Sequence, residues 1–194
     1  MKYENCKCCK VLCGVDIKPY QEKLIPLKGD WILNHYGGND TYLGRLALAT
    51  KCHIEDWKDL DTQLEPLGKN IKIINECLYN YWEDNSKEFK GDKIEQIYTV
   101  YLNEEPYKNG HYTESELKER LHVHLHILPR TIKMRENLYN PKQDLGWHLK
   151  DYVCCFPEYY QLRDEKNYLE AKRLMDYLDD CLSAIKIDET TKLK

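Results

Sequence analysis

Apolar residues recur along this chain in patterns that predict a sheet flanked by long helices. Trp31–Leu33 and Leu46–Ala49 are short apolar runs bordered by turn residues, and Ile94 to Leu102 is rich in β-branched and aromatic residues, so each is typical of a strand. Apolar residues at three- and four-residue spacing predict two amphipathic helices. These positions are Leu64, Leu67, Ile71, Ile74 and Leu78 in the first helix, which ends near Trp82, and Leu169, Leu174, Met175, Leu178, Leu182 and Ile185 in the second. Strands in succession with segregated helices favour an α+β fold.

Length and charge narrow the class of protein. The 194 residues suffice for one ordinary domain with a hydrophobic core. A net charge of -4 gives the surface no general attraction to nucleic acid or to anionic membranes. No apolar run approaches the roughly 20 residues of a membrane span, and the start of the chain does not resemble a secretory signal. We therefore expect a cytoplasmic protein with neither nucleic acid nor membrane as a partner.

The cysteines point to the same compartment. There are nine, an odd number, and four of them lie within the first 13 residues: Cys6, Cys8, Cys9 and Cys13. They do not have the spacing of a disulfide framework. In a reducing compartment such a cluster more often binds metal, so the amino terminus is a candidate metal site.

Three alternating histidines form the most informative motif. From Leu121 to Leu128 the sequence alternates strictly, and a strand has a side-chain period of two, so His122, His124 and His126 are expected on one face. The aliphatic residues between them then face the core. Neighbouring imidazolium groups repel one another, which favours neutral imidazole near pH 7. A neutral imidazole held in a fixed tautomer is suited to covalent attack on phosphorus.

Two other interpretations of these histidines stay open at this stage. They are polar residues on the solvent face of an ordinary strand, or they hold a catalytic metal ion, because histidines at i and i+2 on a strand together with a third can bind zinc.

The segment His122-Val123-His124-Leu125-His126-Ile127-Leu128 matches the motif of the histidine triad (HIT) family. Its continuation, Leu128-Pro129-Arg130, resembles the branch that contains the fragile histidine triad and diadenosine polyphosphate hydrolases. The resemblance extends, in patches, over residues 6 to 134. The segments that carry it are Trp31–Asn34, Gly44–Ala49 and Lys51–Asp56, similar to the first hairpin of the family and the loop after it, and Ile97–Glu104, similar to the strand before the triad.

This resemblance implies a five-stranded antiparallel sheet with two principal helices in a HIT-like domain, residues 1–135. The family often forms a two-fold homodimer. The resemblance does not cover residues 136–194, for which the apolar spacing of the second helix predicts a C-terminal helical extension packed on the same domain. Members of the family act on nucleotides at the α-phosphate through a covalent nucleotidyl-histidine.

The resemblance also assigns roles to single residues. His124 would be the nucleophile, and His126 would donate a hydrogen bond to the phosphate or the leaving group. Asn34 would lie near the ribose. Apart from the resemblance, Arg130 is a cation just after the motif, and we expect it to help meet the phosphate charge. Arg45 stands where many members have a histidine, and its role is open.

One segment departs from the family pattern. Many members have a Gly-Gln-Ser/Thr-like loop before the triad, whose amide and hydroxyl groups hold the phosphate. This chain has a longer, charged segment there, Glu114 to Arg120. Lys118 or Arg120 would substitute as phosphate ligands, or the segment is a solvated run of charges.

The amino terminus contains a Cys-x-x-Cys pair, Cys6 and Cys9, whose spacing suits two thiolates on one tetrahedral zinc ion. By itself this pair is a weak signal, because the residues could be ordinary thiols and because Cys8 and Cys13 offer competing ligands. Some HIT members open with a similar pair followed five residues later by glycine, as Cys9 is by Gly14. The resemblance then implies a closed, structural zinc site with the ligands Cys6, Cys9, His53 and His122.

The leading functional hypothesis is a hydrolase of a nucleotide phosphoanhydride, such as a dinucleoside polyphosphate, or of a nucleoside phosphoramidate. One alternative is a nucleotidyl transferase whose acceptor is phosphate or a sugar phosphate. Another is a nucleotide-binding protein of HIT fold with little turnover, which the altered segment at Glu114 to Arg120 favours.

Overall fold

A computed structural model describes residues 4–15, 17–37, 41–101, 113–138, 160, 162 and 165–191. The described part confirms the α+β class, with one five-stranded antiparallel sheet. The strands are β1 (Ile25–Leu27), β2 (Trp31–His35), β3 (Leu46–Thr50), β4 (Ile94–Tyr101) and β5 (His124–Thr131), and the helices are α1 (Lys7–Leu12), α2 (Leu64–Asp84), α3 (Glu114–Arg120), α4 (Ile132–Leu138) and α5 (Glu165–Thr191). The strand order is β1-β2-β3-β5-β4.

The central strands are those that the apolar runs predict. All residues of β2 and β3 are buried, because both faces of this part of the sheet are covered. Leu33 pairs with Leu48, and Leu48 pairs in turn with Leu125 of β5. Directly opposed residues share a face of an antiparallel sheet, so these three leucines lie on one side of it, among the core residues. Of the predicted strand from Ile94, Leu102 lies outside the described residues.

The two long helices also follow the predicted apolar spacing. Helix α2 buries Leu67, Ile74 and Leu78 on one side, and it packs against α5. Helix α5 adds its own buried positions to the same core, namely Ala171, Leu174, Met175, Leu178 and Leu182. The carboxyl-terminal part of the chain is thus in contact with the sheet-bearing part, while the predicted boundary at residue 135 stays a prediction. No helix in the described part of the chain is long and apolar enough to cross a membrane.

Two short segments differ from the sequence expectation. The charged segment from Glu114 to Arg120 is helix α3 and not a loop, because Thr113 and Glu116 form a capping box at its start. Helix α3 ends with the amide of Leu121 donating to the carbonyl of Leu117, 2.9 Å away. The triad strand therefore begins at His124, later than the predicted Leu121, and His122 precedes it.

Candidate functional site

A cluster of two cysteines and two histidines lies at the junction of three segments. Cys6 and Cys9 come from the start of α1, His53 from the loop after β3, and His122 from the short irregular segment between α3 and β5. Their ligand atoms all lie within 4.8 Å of one another. The closest contacts join Cys9 Sγ to His53 Nδ1 (3.3 Å) and Cys6 Sγ to His122 Nδ1 (3.4 Å). Among the described residues this is the one group of three or more such side chains that could hold a metal ion.

The first turn of α1 brings the two sulfur atoms together. Residues three apart lie on the same side of a helix. Cys6 is the N-cap, and the amide of Cys9 donates to its sulfur at 3.4 Å. Neither Cys8 nor Cys13 belongs to the cluster. The structure thus brings together the four residues that the family resemblance implies and leaves out the two competing cysteines.

Backbone carbonyls orient both imidazoles toward the sulfur atoms. His122 Nε2 donates to the carbonyl of Thr50 at 2.8 Å, and His53 Nε2 donates to the carbonyl of Lys118 at 3.2 Å. A carbonyl only accepts hydrogen bonds, so Nε2 carries the proton and Nδ1 directs its lone pair into the cluster. Hydrogen bonds of this kind commonly hold histidine ligands of metal ions in place.

Burial shifts the pKa of three side chains of the cluster, His122, Cys6 and Cys9. It lowers the pKa of His122 to about 4, with the neighbouring His53 and His124 acting in the same direction. Burial also raises the pKa of the Cys6 thiol, and burial together with Cys6 raises that of Cys9 to about 12. The two thiols and the His122 imidazole are therefore neutral at pH 7 in the absence of a metal cation. Two thiols and two imidazoles are a donor set compatible with zinc, which binds as the thiol protons leave.

The other two triad histidines lie next to this cluster on β5. His124 Nδ1 donates to the carbonyl of His122 at 2.7 Å, so the lone pair of its ring is on Nε2. The His126 ring makes an edge contact with His124, with 5.0 Å between the ring centroids. His122 and His126 are only 1% and 4% exposed. The interpretation of the triad as residues on a solvent-facing strand is therefore wrong for these two. Neither His124 nor His126 belongs to the metal cluster.

The sheet register places Asn34 in the same row as His126. Asn34 pairs with Ala47, and Ala47 pairs with His126, so the three side chains share a face of the sheet. Ala49 pairs with His124 in the same way. Ala47 and Ala49 of β3 have only a methyl group each, so they occupy little space beside these polar side chains. The ribose contact expected of Asn34 stays a prediction.

Arg130 lies farther along β5 than the other predicted site residues. It is four positions beyond His126, or roughly 13 Å along a strand. Its guanidinium forms an ion pair with Glu95, with 3.1 Å between Nη2 and Oε2, and lies 5.4 Å from the centre of the Tyr98 ring. The structure does not bring Arg130 to the triad, and its expected phosphate contact stays a prediction.

Lys118 and Arg120, the other cations considered for the phosphate, lie on α3. Lys118 is exposed and pairs with Glu114 one turn away, at 3.0 Å. This ion pair lies on the solvent-exposed side of α3, as expected for a solvated run of charges. Arg120 is half-buried at the carboxyl end of the same helix.

Two further residues at the site were not identified as functional from the sequence. The ring of Tyr36 contacts the His126 ring edge-on, with 4.9 Å between the centroids. The Arg45 guanidinium lies 4.0 Å from the centre of the Tyr36 ring. Both residues continue the β2–β3 hairpin, because the Tyr36 amide donates to the Arg45 carbonyl at 2.9 Å. The apolar run starting at Leu46 gives no sign of this contact, which depends on the hairpin register.

The arrangement combines a site able to hold a metal ion with a half-buried imidazole whose Nε2 bears a lone pair. Comparison of the chain with protein-family models and with curated proteins gives no match.

Proposed function

We propose that this chain is a nucleotide hydrolase of the HIT type, which cleaves a phosphoanhydride or phosphoramidate at the α-phosphate. The observation that carries the proposal is the hydrogen bond from His124 Nδ1 to the carbonyl of His122. It fixes the tautomer whose Nε2 is nucleophilic, beside a second imidazole, His126, that can meet the phosphate.

The reaction would proceed in two displacements at phosphorus. Nε2 of His124 forms a bond to the α-phosphorus, the bond to the leaving group breaks, and its electron pair departs with that group. Donation by His126 would stabilise the negative charge that develops on the phosphate or on the leaving group. A water molecule then attacks the α-phosphorus, the phosphorus–nitrogen bond breaks, and the water proton passes to solvent. The nucleoside monophosphate leaves, and neutral His124 is restored.

We further propose that the cluster of Cys6, Cys9, His53 and His122 binds a structural zinc ion. Four protein ligands complete the tetrahedral shell that such sites prefer, so no coordination position remains for water or substrate. Bound there, zinc would supply a cross-link between the amino-terminal segment and the segment that precedes β5. The nucleophile would be His124, and His126 would donate a hydrogen bond to the phosphate. The carbonyl of His122 sets the tautomer of His124.

The experiment is rapid acid-free quenching of the enzyme mixed with diadenosine triphosphate labelled at the α-phosphate. We expect a protein-bound nucleotide that is stable in base and labile in acid, as a phosphorus–nitrogen bond is. The His124→Ala variant should form none and should lose at least about a thousandfold in turnover, because a nucleophile cannot be replaced by its neighbours.

The same experiment tests the alternatives. A wild-type enzyme that turns over without an adduct, or a His124→Ala variant that keeps more than about a tenth of the activity, contradicts covalent catalysis by His124. Addition of inorganic phosphate separates hydrolysis from transfer, since a transferase would release a nucleoside diphosphate in place of the monophosphate. A thermal unfolding midpoint for each variant shows whether a loss of activity reflects unfolding.

A further inference from the structure

Arg45 is a buried cation on the same face of the sheet as the triad. The paired backbone of Tyr36 and Arg45 continues the hairpin register, and Arg45 precedes Ala47 by two residues. A strand has a side-chain period of two, so Arg45, Ala47 and the paired His126 lie on one face. Only 4% of Arg45 is exposed. A guanidinium stays charged at every physiological pH.

The Tyr36 ring connects this cation to the triad. One side of the ring faces the Arg45 guanidinium, and the ring contacts His126, which in turn contacts His124. The positively charged guanidinium of Arg45 and the ring of His126 therefore contact the same ring, that of Tyr36. The guanidinium could interact with a phosphate bound at the triad. Its planar set of N–H donors matches the oxygens of a phosphate, and burial strengthens such a charge-assisted hydrogen bond.

We propose that Arg45 makes the site specific for substrates whose leaving group is itself a phosphate, and this inference rests on the proposed function. When His124 attacks, the bond from the α-phosphorus to the bridging oxygen breaks, and the electron pair stays on that oxygen. The departing phosphate gains negative charge, which the Arg45 guanidinium stabilises. The amine that leaves a phosphoramidate carries no such charge, so Arg45 favours phosphoanhydrides over phosphoramidates.

The first test compares two substrates that share an adenylyl group, diadenosine triphosphate and adenosine 5′-phosphoramidate. Arg45→Gln should lower kcat/KM for the triphosphate about a hundredfold more than for the phosphoramidate, the loss typical of one missing oxyanion donor. Arg45→Lys, which keeps the charge but not the planar fork, should fall in between. The matched control is Arg173→Gln on α5, an exposed arginine paired with Glu170, which should leave both substrates unchanged.

The second test requires no turnover and so separates this inference from the proposed function. In the His124→Ala background, calorimetry should show ADP, which carries the second phosphate, binding about ten- to a hundredfold more tightly than AMP. Adding Arg45→Gln should remove that preference and leave AMP binding nearly unchanged. Thermal unfolding of each variant confirms that the fold is intact.

The possible outcomes distinguish failure of the Arg45 inference from failure of the proposed function. An equal loss on both substrates with the ADP preference retained means that Arg45 only supports Tyr36 and His126, and it overturns the inference alone. A wild-type protein that turns over neither substrate overturns the proposed function. If such a protein also binds ADP no better than AMP, the inference fails independently.

Discussion

The histidines of this chain differ in the nitrogen atom that each presents, and the backbone sets that choice. His122 donates from Nε2 and directs Nδ1 to the sulfur cluster, whereas His124 donates from Nδ1 and presents Nε2. His35 uses both nitrogens on the backbone, since Nδ1 donates to the carbonyl of Tyr36 and Nε2 accepts from the amide of Gly44. One residue type therefore supplies a candidate metal ligand, the nucleophile that we propose and a structural imidazole.

His35 makes the stability of the fold depend on pH. Burial lowers its pKa from 6.5 to about 4, and the nearby Arg45 charge acts in the same direction. The unfolded chain therefore binds a proton more readily, so the stability contributed by neutral His35 is complete above about pH 6.5 and is lost as the pH falls toward 4. In urea unfolding, the advantage of wild type over His35→Gln should shrink by about 3 kcal/mol between pH 7 and pH 4. A difference that is constant across this range would contradict the buried neutral imidazole.

At the scale of elements, the predictable parts are those whose burial repeats with a regular period. The apolar spacing of α2 and α5 and the runs in β2 and β3 identify these elements from the sequence alone. Helix α1 has six residues and buries none of them, so it leaves no periodicity to detect. Helix α3 likewise has no buried residue. The feature of the sequence that indicates this helix is the Thr113–Glu116 capping box, and not a stripe of apolar residues.

The candidate site was predictable to a similar degree and for related reasons. The triad and the Cys-x-x-Cys pair are local motifs, visible in the sequence. The choice of Cys6 and Cys9 over the other cysteines came from a family resemblance, since it depends on how α1 meets the loop at His53. The contact of Arg45 with Tyr36 depends on the register in which β2 and β3 pair, which no spacing rule fixes.

Metal content tests the junction of α1, the His53 loop and β5. Zinc should copurify at about one atom per chain, and Cys6→Ser and Cys9→Ser should lose it together with some thermal stability, because a closed site contributes its binding free energy to folding. Cys8→Ser and Cys13→Ser are the matched controls from the same segment, and both should keep the metal. Elemental analysis measures the zinc content of wild type and of each variant. Absence of metal from wild type purified without chelator would remove the site, and loss only in the control variants would reassign its ligands.

At the scale of the whole molecule, one buried polar network connects distant parts of the chain. The hydroxyl of Tyr160 donates to Asp92 Oδ2 at 3.0 Å and accepts from the Trp82 indole N–H at 3.0 Å. Asp92 Oδ1 accepts from the amides of Lys93 and Lys133. The network joins the end of α2, the turn before β4 and the start of α4 to a residue from the carboxyl-terminal part of the chain. Asp92 is 2% exposed, so its carboxyl oxygens depend on these donors for hydrogen bonds that water does not supply.

Removing one oxygen atom from this network should destabilise the whole fold without touching the site. Tyr160→Phe keeps the ring that packs on Trp82 and Phe89 but leaves Asp92 and the Trp82 indole each without one partner. Each buried group that loses a hydrogen-bond partner costs about 1–3 kcal/mol, so for two groups the free energy of unfolding should fall by about 2–6 kcal/mol. Tyr79→Phe, at an exposed position of α2, is the matched control and should change it by less than about 0.5 kcal/mol. Equal unfolding curves for the two variants in urea would show that the Tyr160 hydroxyl does not hold these segments together.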